Sequence, residues 1–255
     1  MEILWCRNVK GLEIDAPNLM SFKYIGPDIL LPFQNFPQLS ELTTGSQYCY
    51  SFIFNADKHE SYSCKLRKLK LKVPREIAMR ESWLTLHYPD NFPRPNNLRE
   101  LELDLTLEAG ESLLFFTFFI KAASLLSRFR ARIIYIPALH KQYVGIGVRI
   151  LERAAREATA GFVHKRLKVV KLIGFTGRRT DYKLALHLLE IGRGSLKKII
   201  LQPTNDSHGI KIKRVTLIEK RSKQLEAKLP PGAKLVMLYS FKFFLAYNFK
   251  YFLNY

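Results

Sequence analysis

The pattern Leu-x-x-Leu-x-Leu, with substitutions, recurs seven times along the 255 residues and leaves little freedom in how the chain can fold. Its copies begin at Leu19, Leu39, Leu66, Leu98, Leu126, Leu167 and Leu196. Leu66-Leu69-Leu71 and Leu98-Leu101-Leu103 are close to ideal, whereas Leu19-Phe22-Tyr24 and Leu39-Leu42-Thr44 are degenerate. Alternate side chains of a short strand share a face, so the leucines of each LxL point inward and stack on the next copy. The chain must then return on the other side. LLFFTFFIKAAS, opened by Glu111-Ser112, is apolar nearly all round and is deeply buried if helical. In TDYKLALHLL, Thr180 serves as N-cap and Asp181 suits the positive end of the helix dipole. Tyr182, Ala185, Leu188 and Leu189 form its apolar face, and Gly192 and Gly194 close it. A last helix is expected over 220–228, stopped by Pro230-Pro231-Gly232, with a short strand after it at 234–238.

First leucines are separated by 20, 27, 32, 28, 41 and 29 residues, mostly in or near the leucine-rich range of about 20–29. The expected class is therefore α/β, a leucine-rich-repeat solenoid: a curved parallel sheet with helices or irregular returns on its convex side. The step of 41 holds an insertion. This divides the chain into repeats over 1–135, an inserted segment over 136–163, further repeats over 164–238, and an aromatic tail over 239–255. That tail, YSFKFFLAYNFKYFLNY, has no clear amphipathic period and is expected to be poorly ordered.

Bulk properties narrow the function classes. A hydrophobic content of 47% supports a substantial core and argues against disorder. Three cysteines without a CxxC pair suggest neither a disulfide framework nor a zinc site. The sequence shows no signal-peptide pattern, and LLFFTFFI is too short to span a bilayer. A reducing cytoplasmic or nuclear location is the simple expectation, with no membrane association. Net charge is +19 and uneven: residues 1–97 hold 12 basic and 10 acidic side chains, residues 98–255 hold 29 and 12. Such asymmetry fits nucleic acid or an acidic protein partner, or a solvated basic face.

Motifs for chemistry are sparse. The six histidines have neither HxxxH nor HExxH spacing, and His59 between Cys49 and Cys64 fits no common zinc pattern. His59 is expected as a surface or partly buried residue, and His187 as a packing residue. GFTGRR, between an apolar run and a helix, has the order of a phosphate cradle. Read in register it is the turn after a repeat strand, with Arg178 and Arg179 solvated. Gly145-Ile146-Gly147 reads as a loop or strand in the inserted segment. No catalytic, metal or cofactor residue is assigned, and no cofactor is expected.

The exposed repeat positions carry more information. Arg67, Lys68, Lys70 and Lys72 are followed by Arg99, Glu100, Glu102 and Asp104, then by Ser127, Arg128, Arg130 and Arg132, and finally by Lys168, Lys171, Lys197 and Lys198. If the strands align, the concave sheet is basic, then acidic, then basic. A mixed stripe suits an irregular protein surface better than a uniformly negative phosphate backbone.

The stretch LEIDAPNLMSFKYIG (12–26) is similar to the IDAPNL signature in the leucine-rich part of plant F-box proteins. LRELELDL followed by ESLLFFTFFIKAASLLSRF resembles their next repeats. HKRLKVVKLIGFTGRRTDYKLALHLLEIGRGSLKKIIL (164–201) and QLEAKLPPGAKLVML (224–238) resemble their C-terminal FBD-type module. The resemblance covers about residues 1–238. It implies a monomeric, non-catalytic substrate-recognition part of an SCF-type ubiquitin ligase, with a target protein on the concave face. The F-box that docks a Skp-type adaptor is missing, since the sequence opens within the repeats at MEILWCRNV; adaptor binding is not expected. The alternative is a nucleic-acid or phosphoinositide binding protein acting through its basic surface.

Overall fold

The structure, a computed structural model, describes all residues except 7–8, 32–35, 74–94, 109–110, 137–145, 204–211 and 240–255. The expected tail therefore lies almost wholly outside the described residues, as does part of the inserted segment.

Each of the seven triads forms a strand. They are β2 (Ser21–Ile25), β3 (Glu41–Gly45), β4 (Lys68–Val73), β5 (Glu100–Glu108), β6 (Arg128–Ile136), β7 (Val169–Ile173) and β8 (Lys198–Gln202). Two more complete the sheet, β1 (Glu2–Leu4) and β9 (Lys234–Met237). All nine pair in parallel and in chain order, the arrangement of a solenoid. One buried row runs across the sheet through Phe22, Leu42, Leu69, Leu101, Phe129, Val170 and Ile199. A second runs through Tyr24, Thr44, Leu71, Leu103, Ala131, Leu172 and Leu201. The leucine positions thus stack where the repeat spacing requires.

The described returns pack on the leucine side. They include α1 (Ser46–Phe54), a 3-10 turn (Ala56–His59), α2 (Glu60–Ser63), a second 3-10 turn (Leu114–Phe116) and α3 (Thr117–Ala122). Further along come α4 (Ile146–Thr159), α5 (Arg179–Ile191) and α6 (Ile212–Glu226). A helix is about 10 Å across while neighbouring strands lie about 4.8 Å apart, so helical returns on one side bend the sheet and leave its other face concave. Leu113 to Ile120 are all buried, as their composition foretold.

Several local expectations change. Residues 146–149, read as loop or strand, begin α4 instead. The last helix starts at Ile212 rather than near 220, because Val215, Ile218, Ser222 and Leu225 already form a buried stripe. Helix α5 starts at Arg179, one residue before the expected cap Thr180. Its N-cap is Arg178, with no side-chain cap bond; Asp181 in the first turn instead ties down the preceding loop, its carboxylate accepting from the Thr176 N–H at 2.6 Å, the Thr176 hydroxyl at 3.0 Å and the Tyr182 N–H at 3.0 Å.

His59 is buried, not superficial: the Tyr62 hydroxyl lies 2.6 Å from its Nδ1 and Ser51 Oγ lies 3.2 Å from its Nε2. His164 is a buried clip, its Nδ1 accepting from the backbone N–H of Arg166 and Leu167 while its Nε2 donates to the Ala123 carbonyl. His187 is a packing residue as expected, with Nε2 2.9 Å from the Thr159 hydroxyl.

These histidines set an expected pH dependence. Burial pushes His59 down to about 4 and holds His164 and His187 below the ordinary imidazole value. The unfolded chain takes up these protons first as pH falls, so their contribution, full above about 6.5, is lost on the way to 4. Asp181 runs the other way, since burial pushes its carboxyl up to about 6 and the fold is relieved of a buried charge below that pH. With three groups against one, the urea midpoint should drop between pH 7 and pH 5, and more steeply in Asp181→Asn. A midpoint that rises on acidification would contradict this account.

Candidate functional site

Alternation of period two puts every second residue of each strand on the open face, and the register fixes its lateral neighbours. Lys68, Lys70 and Lys72 of β4 stand opposite Glu100, Glu102 and Asp104 of β5. Those in turn stand opposite Arg128, Arg130 and Arg132 of β6. The expected basic–acidic–basic order is therefore present, aligned row by row.

What the alignment does to the acidic column was not expected. Lys70 Nζ lies 3.2 Å from Glu102 and 3.3 Å from Asp104. Arg128 lies 3.0 Å from Glu100, Arg130 3.4 Å from Glu102, and Arg132 3.8 Å from Asp104. Glu102 and Asp104 are thus held from both sides and Glu100 by Arg128, and the Glu102 side chain is only 17% exposed. Burial alone would raise its pKa, but hydrogen bonding to Lys70 and the charges of Lys70, Arg130 and Lys68 hold it below the usual carboxylate value. A face read from the sequence as basic, then acidic, then basic carries its acidic column paired with the flanking cations.

Beyond β6 the face changes character. Its outward residues are Val169, Lys171 and Ile173 on β7, Lys198, Ile200 and Gln202 on β8, and Lys234 and Val236 on β9. No acidic residue is among them. Lys168 and Lys197 precede their strands and are exposed at the rim where the strands begin, the position also held by Arg67, Arg99 and Ser127. The structure thus brings Lys171 and Lys198 onto the face and sets Lys168 and Lys197 at its margin. Lys234 and Val236 were missed because β9 was not read as a repeat. The signal was there: KLVM places Lys234 opposite Lys198.

The basic glycine loop is a turn. Gly174 and Gly177 have φ of +87° and +71°. Asp181 takes up the Thr176 donors that an anion would use. Arg178, expected in solvent, lies over the Tyr135 ring at 4.7 Å from its centre, whereas Arg179 is exposed. On the helix side, a groove of about 890 Å³ is lined by Arg156, Thr159, Lys183, His187, Glu190 and Lys228 among others. Some of its polar groups are engaged locally: the Thr159 hydroxyl donates to the Ala155 carbonyl at 2.7 Å, and Lys183 pairs with Glu152. Among the described residues no group of three or more His, Cys, Asp or Glu could hold a metal ion, and no helix is long and apolar enough to cross a membrane.

Parallel strands in chain order, inward leucines, described returns on the leucine side and a charged face that no described helix covers define a leucine-rich-repeat scaffold, a class that generally serves protein interaction. Over residues 1–229 the chain matches the family described as At1g61320/AtMIF1, LRR domain, and it belongs to that family. No curated protein and no solved structure matches it.

Proposed function

We propose that this chain is a non-catalytic recognition module that holds a target protein on the open face of its sheet. The observation that supports this most is the continuous row of ordered, half-exposed charged side chains across β4, β5 and β6, a face that no described helix covers. Ion pairs fix these long side chains before a partner arrives, which lowers the ordering cost of binding. Such a face distinguishes partners by charge pattern.

The finer part of the proposal is that the module resembles the substrate-recognition part of a plant F-box protein. In that reading residues 1–255 hold the target but not the Skp-type adaptor. Arg130→Glu/Arg132→Glu is expected to remove most proteins that co-purify with the wild type, read by quantitative affinity purification. A co-purifying set that does not change would move the site off this face. A purified Skp-type adaptor should not be retained by the chain; retention would overturn the target-only assignment.

The basic half favours a second reading, binding of nucleic acid or phosphoinositide. It predicts an affinity that falls steeply as salt rises, through release of counterions from the polyanion. An oligonucleotide affinity that is flat between 50 and 200 mM salt would remove that reading.

A further inference from the structure

We infer that the partner of the open face is an acidic polypeptide segment with interspersed aliphatic residues, and that it extends from the charge ladder onto β6 to β9, where most of its carboxylates dock. This rests on the reading of the open face as a protein-binding surface.

The two panels of the face differ in how their charge is balanced. On β4 to β6 each carboxylate lies between cations in the register, and the ladder bonds to itself. On β6 to β9 cations stand directly beside cations. Arg130 is opposite Lys171, and Lys198 is opposite Lys234. Like charges directly opposite on neighbouring strands destabilise a sheet. Among the described residues Lys171, Lys198 and Lys234 have no ion-pair partner. The repulsion stored there is relieved by carboxylates brought from outside.

The same panel is not uniformly basic. Val169, Ile200 and Val236 alternate with the lysines, so that each Lys of β7 and β8 has an aliphatic neighbour on the next strand or the one before it. All three are half-buried by their neighbours alone and keep surface to cover. A partner that places carboxylates on the lysines and methyl groups between them satisfies both sets. A nucleic acid satisfies only the first. It would also approach the carboxylates of β5, and none of the described outward residues on β6 to β9 is an aromatic ring on which a base could stack.

The test uses the full chain and fluorescein-labelled 12-residue peptides read by anisotropy at 50 mM salt. One peptide carries Asp and Glu with Leu at every third position; a second has the Leu replaced by Ser. The first is expected to bind, the second at least fivefold more weakly. Lys171→Glu/Lys198→Glu/Lys234→Glu should weaken the first at least tenfold. A helix-side variant with the same change in net charge, Arg193→Glu/Lys223→Glu/Lys228→Glu, should stay within twofold. Circular dichroism establishes that both variants are folded. Equal binding by the two triple variants, equal binding of the two peptides, or tighter binding of a 12-nucleotide single strand overturns the inference. A random-peptide display selection separates the two levels. If it enriches non-acidic binders that Arg130→Glu abolishes, the open-face reading stands and this inference fails. Binders insensitive to both sets of changes remove both.

Discussion

Gly174→Ala is expected to cost about 2–5 kcal/mol, an order-of-magnitude sum of left-handed backbone strain and a forced overlap. Gly174 follows β7 directly and has φ of +87°, where a side chain is disfavoured whatever the surroundings. An added Cβ would also fall well inside contact distance of the Ile133 carbonyl oxygen and 3.0 Å from its carbon. Neither side can give way. Ile133 lies within the β5–β6–β7 part of the sheet, in register with Leu105. The Gly174 N–H donates to the Gln202 carbonyl at 2.8 Å, which ties the turn to β8. Gly232 supplies the comparison: its φ is +79°, but a Cβ there meets nothing within 4 Å. Gly232→Ala should therefore lose only the backbone component, about 1–2 kcal/mol. Urea denaturation followed by circular dichroism reads both. A Gly174→Ala midpoint equal to that of Gly232→Ala would refute the close approach.

Phe129→Ala should cost a comparable amount, roughly 3–5 kcal/mol, by loss of buried area and by the cavity left behind. Phe129 occupies a leucine slot in the repeat pattern, is 1% exposed, and lies between Leu101 and Val170 in the inward row. The strands on either side are held by ladder bonds, so the site has little room to collapse around a missing ring. Against a total stability on the order of 5–15 kcal/mol, that loss is a large share. Phe129→Leu restores the residue type of the repeat and should cost less than about 1.5 kcal/mol. Ile134→Ala, at a half-exposed site on the same strand, should stay within about 0.5 kcal/mol of wild type. If Phe129→Ala unfolds no more easily than Ile134→Ala, the inward row is not the core.

Much of the fold could be read along the chain because the repeat is a local signal. Leu66, Leu69 and Leu71 announce a strand and its buried side within six positions, and the same spacing returned six more times. Helix α5 was legible from its apolar face, and β9 from the residues after the proline pair. What failed was read from segments whose environment is supplied from far away. His59 is buried because Tyr48, Ser51 and Tyr62 fold around it, which no spacing rule encodes. Thr180 read as the cap, but the helix opens one residue earlier, after Arg178, where Asp181 ties the Thr176 loop against it.

The candidate face divides in the same way. Its residue types were visible: Lys68, Lys70 and Lys72, then the carboxylates, then the arginines, each set on one strand. Period-two alternation determined which side chains leave the core, and that rule needs no knowledge of neighbouring strands. Which charge meets which depends on lateral register, set across returns of very different length, and only the folded sheet decided it. Lys70 finds Glu102 from 32 positions away, and Arg130 finds it from 28. Coulomb attraction acts over a few ångströms in space without regard to sequence distance, so the sequence determined the inventory of charges, whereas the tertiary structure decided that the acidic column is paired and that, among the described residues, Lys171, Lys198 and Lys234 are not.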